Sequence, residues 1–123
     1  MTDRPIHRKD FDTLLAYLGV FRASGYQCTS ESDDWYPAYR PEVSEFFTTL
    51  QNEPWVDYEY DPNAVGERLT KAAIQDADID ELRSILTFMA RSERFCDGAW
   101  AGHFEDGLLI EALERLKALR ELI

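Results

Sequence analysis

Apolar residues at Phe11, Leu14, Leu15, Leu18 and then Val20 or Phe21 recur every three or four positions, which places them along one side of an α-helix. Asp10 is a good N-cap for this helix and Gly25 a natural stop. Gly19 lies inside it at a cost of about 1 kcal/mol relative to alanine, so close packing against a neighbour is expected there. The next stretch, YQCTSESDDWYPAYRP at 26–41, has no period and is rich in turn formers, which predicts a loop or a short extended piece. Pro41 then opens a second helix at the position where a missing N–H costs nothing. Val43, Phe46, Phe47 and Leu50 form its stripe, and residues 52–54 end it.

WVDYEY at 55–60 alternates like a strand, but no second convincing strand exists to pair with it, so an extended loop is expected. Asp61 and Pro62 read as the cap and first turn of a third helix carried by Val65, Leu69, Ala72 and Ala73, with Gly66 as its weak point. Asp78-Ile-Asp-Glu81 is a capping-box-like start to the strongest helix, in which Ile79, Leu82, Ile85, Leu86 and Met89 share a face. Past Cys96 a short helix is predicted, capped by Asp97 and closed by Gly107. A last helix follows through Ile123, with Leu109, Ala112, Leu113, Leu116 and then Leu119 or Arg120 on its stripe. Five or six short helices with short connections and no repeats define an all-α bundle, one domain over 1–123, with room for one short extended segment.

Such a bundle needs no covalent staple, because a chain of 123 residues buries roughly two-thirds of its unfolded surface. The start, MTDRPIHRKDFD, has no apolar core of signal-peptide length and the apolar runs are too short to cross a bilayer, so a cytoplasmic location without membrane contact is expected. Cys28 and Cys96 belong to no CxxC motif and are expected as free thiols in a reducing compartment.

Charge changes the picture more. Of the net −11, residues 25–67 carry −9, with Arg40 their single base, and the same stretch holds nine of the sixteen aromatic rings. Direct nucleic-acid binding is disfavoured, since a phosphate backbone needs a basic face. A cationic partner is favoured. Two tracts, ESDDWYPAYR at 31–40 and WVDYEYDP at 55–62, set rings beside carboxylates, and rings supply contact area while acids select a basic counterpart. The competing reading is that these rings lid the core with their polar ends in water.

Cys96 and His103 raise two other chemistries: a nucleophile with its base, or two ligands of a metal. Seven residues apart on one helix, they would lie roughly 10 Å apart, too far for a direct hydrogen bond. A zinc site needs two more ligands, and Asp97, Glu105 and Asp106 are more ordinarily caps and solvent-facing acids. No GxSxG, GxGxxG or GxxxxGK[ST] motif is present. No metal, no cofactor and no catalytic residue are therefore assigned, and Cys96 is expected as a buried structural thiol.

The C-terminal half, DIDELRSILTFMARSERFCDGAWAGHFEDGLLIEALERLKAL, carries Leu82, Leu86, Thr87, Arg91, Arg94, Phe95, Cys96, Asp97, Gly98, Asp106 and Gly107 in a pattern that resembles the bacterial domain-of-unknown-function 6508 family. LLAYLGVF at 14–21 and WVDYEYDP are similar to the family's first helix and to its tryptophan-containing acidic stretch, while Trp100 and Gly102 depart from it. The resemblance implies a small helical domain and no assigned activity. Physically, the run from Arg94 to Gly98 makes sense as a helix junction. Phe95 and Cys96 would be buried, Asp97 would cap the next helix, Gly98 would allow close approach, and Arg91 or Arg94 would meet the carbonyls that end the preceding helix. A pocket at this junction would have Arg94 and His103 as its polar groups.

These features lead to a small acidic non-enzymatic interaction domain that meets a basic protein surface through Asp33, Asp34, Trp35, Tyr36, Tyr39, Trp55, Asp57, Tyr58, Glu59 and Tyr60. Two alternatives stay open: an inhibitor of phage or mobile-element origin that mimics nucleic acid, and an enzyme or metal protein centred on Cys96 and His103. The aromatic surplus leaves a homodimer open as well.

Overall fold

The apolar stripes that open at Phe11, Val43, Leu82 and Leu109 become buried helix faces in the computed structural model, which describes residues 5–30 and 38–122, whereas the stripe from Val65 to Ala73 does not form one helix face. The elements run α1 (Arg8–Phe21), β1 (Thr29–Ser30), β2 (Ala38–Tyr39), α2 (Pro41–Leu50), α3 (Pro62–Gly66), α4 (Lys71–Asp76), α5 (Ile79–Ser92), α6 (Ala99–Glu105) and α7 (Leu108–Arg120). The fold is all-α. The two short strands form a single antiparallel ladder, Thr29 opposite Tyr39 and Ser30 opposite Ala38. No described helix is long and apolar enough to cross a membrane.

α7 is the shared partner, packing most extensively on α1 and α4 and also touching α5 and α6, so Leu109, Ala112, Leu113 and Leu116 meet several surfaces at once. α2 closes the other side of α5 with Phe46, Phe47 and Leu50 completely buried, each worth about 1.5–3 kcal/mol of transfer free energy. Aromatic edges knit the far end together: Phe21 meets Phe46 at 5.2 Å and Phe104 at 5.0 Å, both nearly perpendicular.

Several local expectations change. α1 starts at Arg8, one turn earlier than an Asp10 cap would give; Asp10 sits three residues in and accepts a 2.9 Å bond from the His7 N–H, the reciprocal half of a capping box. The single third helix is two. Asp61 caps α3 by accepting from Asn63 N–H, and Thr70 caps α4 by accepting from Ala73 N–H, so the chain breaks between Gly66 and Thr70 because a second cap is available there. Gly19 is exposed with open space where a Cβ would stand, so no close packing accounts for it.

Candidate functional site

Residues 91–107 turn the chain from α5 through α6 into α7, and the backbone donors at the start of α6 decide how. The α6 N-cap is Gly98, at φ +88° and without a side chain to accept those donors. Asp97, expected to serve, is exposed and makes no cap. Glu93 serves instead, accepting from Gly98 N–H at 2.8 Å and Trp100 N–H at 3.0 Å, and also from the Tyr39 hydroxyl at 2.8 Å. The Tyr39 oxygen in turn accepts from Ala101 N–H at 3.2 Å. Burial pushes the Tyr39 phenol up, and the Glu93 carboxylate adds to it. Trp100 completes the joint: its indole N–H donates to the Ala90 carbonyl at 3.1 Å, and its ring stacks on Phe47 at 4.4 Å.

With Glu93 turned inward, the next residues turn out. Phe95 is 83% exposed and Cys96 is exposed, the opposite of the burial expected for both. Neither arginine meets the carbonyls that end α5. Arg94 donates to the Gln51 side chain at 3.1 Å, and the Arg91 guanidinium lies over the Tyr60 ring, 5.2 Å from its centroid. Tyr60, Pro62, Phe88, Arg91, Ser92, Phe95 and Cys96 line an apolar groove of about 450 Å³.

His103 faces Ser92, not Cys96. Its Nε2 is 3.0 Å from Ser92 Oγ, and that hydroxyl already donates to the Met89 carbonyl at 2.7 Å. The bond to Ser92 therefore runs from an Nε2–H into the hydroxyl oxygen, which makes His103 a donor and not a base toward Ser92. Burial holds His103 below its ordinary range against the opposing pull of Asp106 and Glu93, consistent with a neutral ring. Cys28 and Cys96 are both free thiols, and among the described residues no three His, Cys, Asp or Glu side chains gather to hold a metal.

The second tract sorts its residues the other way. Trp55, expected on the outer face, is 1% exposed and packs edge-on against Phe11 at 5.7 Å, so it touches no partner. Strapping to α5 pulls it in. Arg83 donates to the Val56 carbonyl at 2.8 Å, Asp57 N–H donates to Thr87 Oγ1 at 2.9 Å, and Ser84 Oγ donates to the Asp57 carboxylate at 2.6 Å. Beyond the strap, Tyr58 is 52% exposed and Glu59 exposed, while Tyr60 is half-buried. Asp57, Glu59, Asp61, Asp80 and Glu81 then surround a recess of about 400 Å³ together with Arg68 and Arg83, and Arg68 pairs with Glu81. Tyr39 is half-buried in the Glu93 joint, away from this recess, and Asp33, Asp34, Trp35 and Tyr36 lie outside the described residues. Sequence reasoning passed over Asp80 and Glu81 as site residues because they read as helix-capping acids, and over Glu93 and Trp100 because no local pattern marks a joint made through Tyr39.

The molecule is thus a small all-α domain with an acidic recess and an apolar groove on either side of Tyr60. The chain belongs to the DUF6508 family, a family of unknown function whose sequence model matches residues 6–122. Comparison with curated proteins and with solved structures finds no match.

Proposed function

We propose that this is a cytoplasmic, non-enzymatic protein-interaction domain that meets a basic protein surface through the recess around Asp57, Glu59, Asp61, Asp80 and Glu81. The observation that carries the reading is the convergence of these five carboxylates from two separate segments onto one concavity, against two arginines, one of them already tied to Glu81. A concave surface of net negative charge, here five carboxylates against two guanidiniums, concentrates its field and raises the encounter rate with a cation. Half-exposed Tyr58 stands on the same loop and offers ring surface to a bound chain.

Titration of the ¹⁵N-labelled protein with a peptide rich in lysine and arginine tests it. Amide shifts should concentrate at 57–61 and 80–81, and affinity should fall as salt rises. Glu59→Lys with Asp80→Lys, two exposed side chains, should weaken binding about tenfold, or roughly 1.4 kcal/mol. Shifts spread evenly over every acidic patch, or a double variant that binds as before, would overturn the reading.

A further inference from the structure

We propose that the groove across Tyr60 from the acidic recess binds a small monocarboxylic acid with an apolar body, its carboxylate held by Arg91. Arg22, Arg68 and Arg120 pair with carboxylates, Arg40, Arg83 and Arg115 donate to backbone carbonyls, and Arg94 donates to Gln51. Arg91 has neither an ion pair nor a hydrogen bond among the described residues, and it lies over the Tyr60 ring on the groove lining. In a chain with 24 acidic residues, a half-buried guanidinium set over a tyrosine ring, with no described carboxylate on it, keeps donors for an anion from outside the chain.

The walls specify the rest. Tyr60, Pro62, Phe88 and Phe95 make them apolar, no carboxylate among the described residues lines them, and about 450 Å³ lies within the size range of small-ligand pockets. Phe95 stands at the edge with most of its ring in water, a large apolar surface that an aliphatic or aromatic body would cover. A guanidinium matches a carboxylate in two parallel hydrogen bonds. A single cation in apolar surroundings suits a singly charged anion, whereas a dianion would meet the net −11 of the chain with only one compensating charge. A cationic segment is excluded from the same groove by Arg91 itself, so this inference stands apart from the interaction reading.

Cys96 lies on the groove lining and supplies a reporter, with half-buried Cys28 as internal control. Sodium octanoate, octanol and octylamine would each be added to the full chain, and alkylation of the two thiols by iodoacetamide followed by peptide mass spectrometry. Octanoate should slow labelling of Cys96 without changing Cys28, and should bind about tenfold more tightly than either octanol or octylamine. Arg91→Gln should remove that preference, bringing octanoate to the level of octanol, while Arg91→Lys keeps part of it. Phe95→Ser, at an exposed position, should weaken octanoate and octanol alike. Equal binding of octanoate and octanol to the natural chain, protection that survives Arg91→Gln, or octanoate shifts outside the groove would each overturn the proposal. The basic-peptide titration reads the neighbouring recess, so failure of either experiment leaves the other site untouched.

Discussion

The segments 55–61 and 93–98 both join helices and both set an aromatic ring close to carboxylates, and the structure turns them in opposite senses. In the first, Trp55 goes into the core while Glu59 and Asp61 stay in water. In the second, Glu93 goes into the joint and Phe95 stays in water. Hydrophobicity alone would have sent both rings inward. The backbone decides: the 55–61 chain finds its partners along the side of α5, in Arg83, Ser84 and Thr87, so its ring is free to fill the space beneath. At 93–98 the donors opening α6 need an acceptor, and with Gly98 at the cap position Glu93 is spent on them, which rotates Phe95 outward.

Trp55→Ala should break the first arrangement at the greatest cost, about 3–5 kcal/mol by denaturant unfolding, because a fully buried indole leaves a large cavity. Glu93→Ala strikes the second. Loss of the acceptor for Gly98, Trp100 and Tyr39 should cost about 2–3 kcal/mol, and Glu93→Gln, which keeps one carbonyl oxygen, should cost less. A variant as stable as the natural protein would mean that water caps α6 equally well.

A smaller effect is expected in the pH dependence. His103 is held below its ordinary range in the folded chain, so the unfolded chain takes up a proton where the folded one does not. The contribution is fully present above about pH 6.5 and is lost as pH falls toward the folded value. His103→Gln, which keeps a donor for Ser92, should flatten the slope of unfolding free energy between about pH 7 and 5; an unchanged slope would assign it to other groups. Phe95→Ser should change stability least, within about 0.5 kcal/mol. A loss comparable to Trp55→Ala would show that Phe95 is core after all and that the two segments do not differ.

Much of the helix content was legible because it is written within a few residues. Pro41 to Leu50 matched α2 end to end, and the Asp78 and Glu81 capping box opened α5 as expected, since caps and stripes act over one turn. The break between α3 and α4 is not visible in the apolar pattern, because Val65, Leu69, Ala72 and Ala73 keep helical spacing across it; only the fold shows Thr70 capping a new helix there. Where the acidic, ring-bearing tract folds was legible only in part. Asp57, Glu59 and Tyr60 reach the recess together, but Asp80 and Glu81 join it from α5, about twenty positions further along the chain. Thr87 stood out in the family pattern, and its use, receiving the N–H of Asp57, appears only once the strap is in place.

By itself the sequence determined an all-α, strongly acidic domain, most of the helices and most of the core, because periodicity and caps are short-range physics. Tertiary structure alone decided the sides: Trp55 inside, Phe95 outside, His103 on Ser92, and Arg91 over the Tyr60 ring. The reason is that a loop residue's direction is set by which distant donor or acceptor satisfies the backbone beside it, and those partners are chosen only when the helices pack.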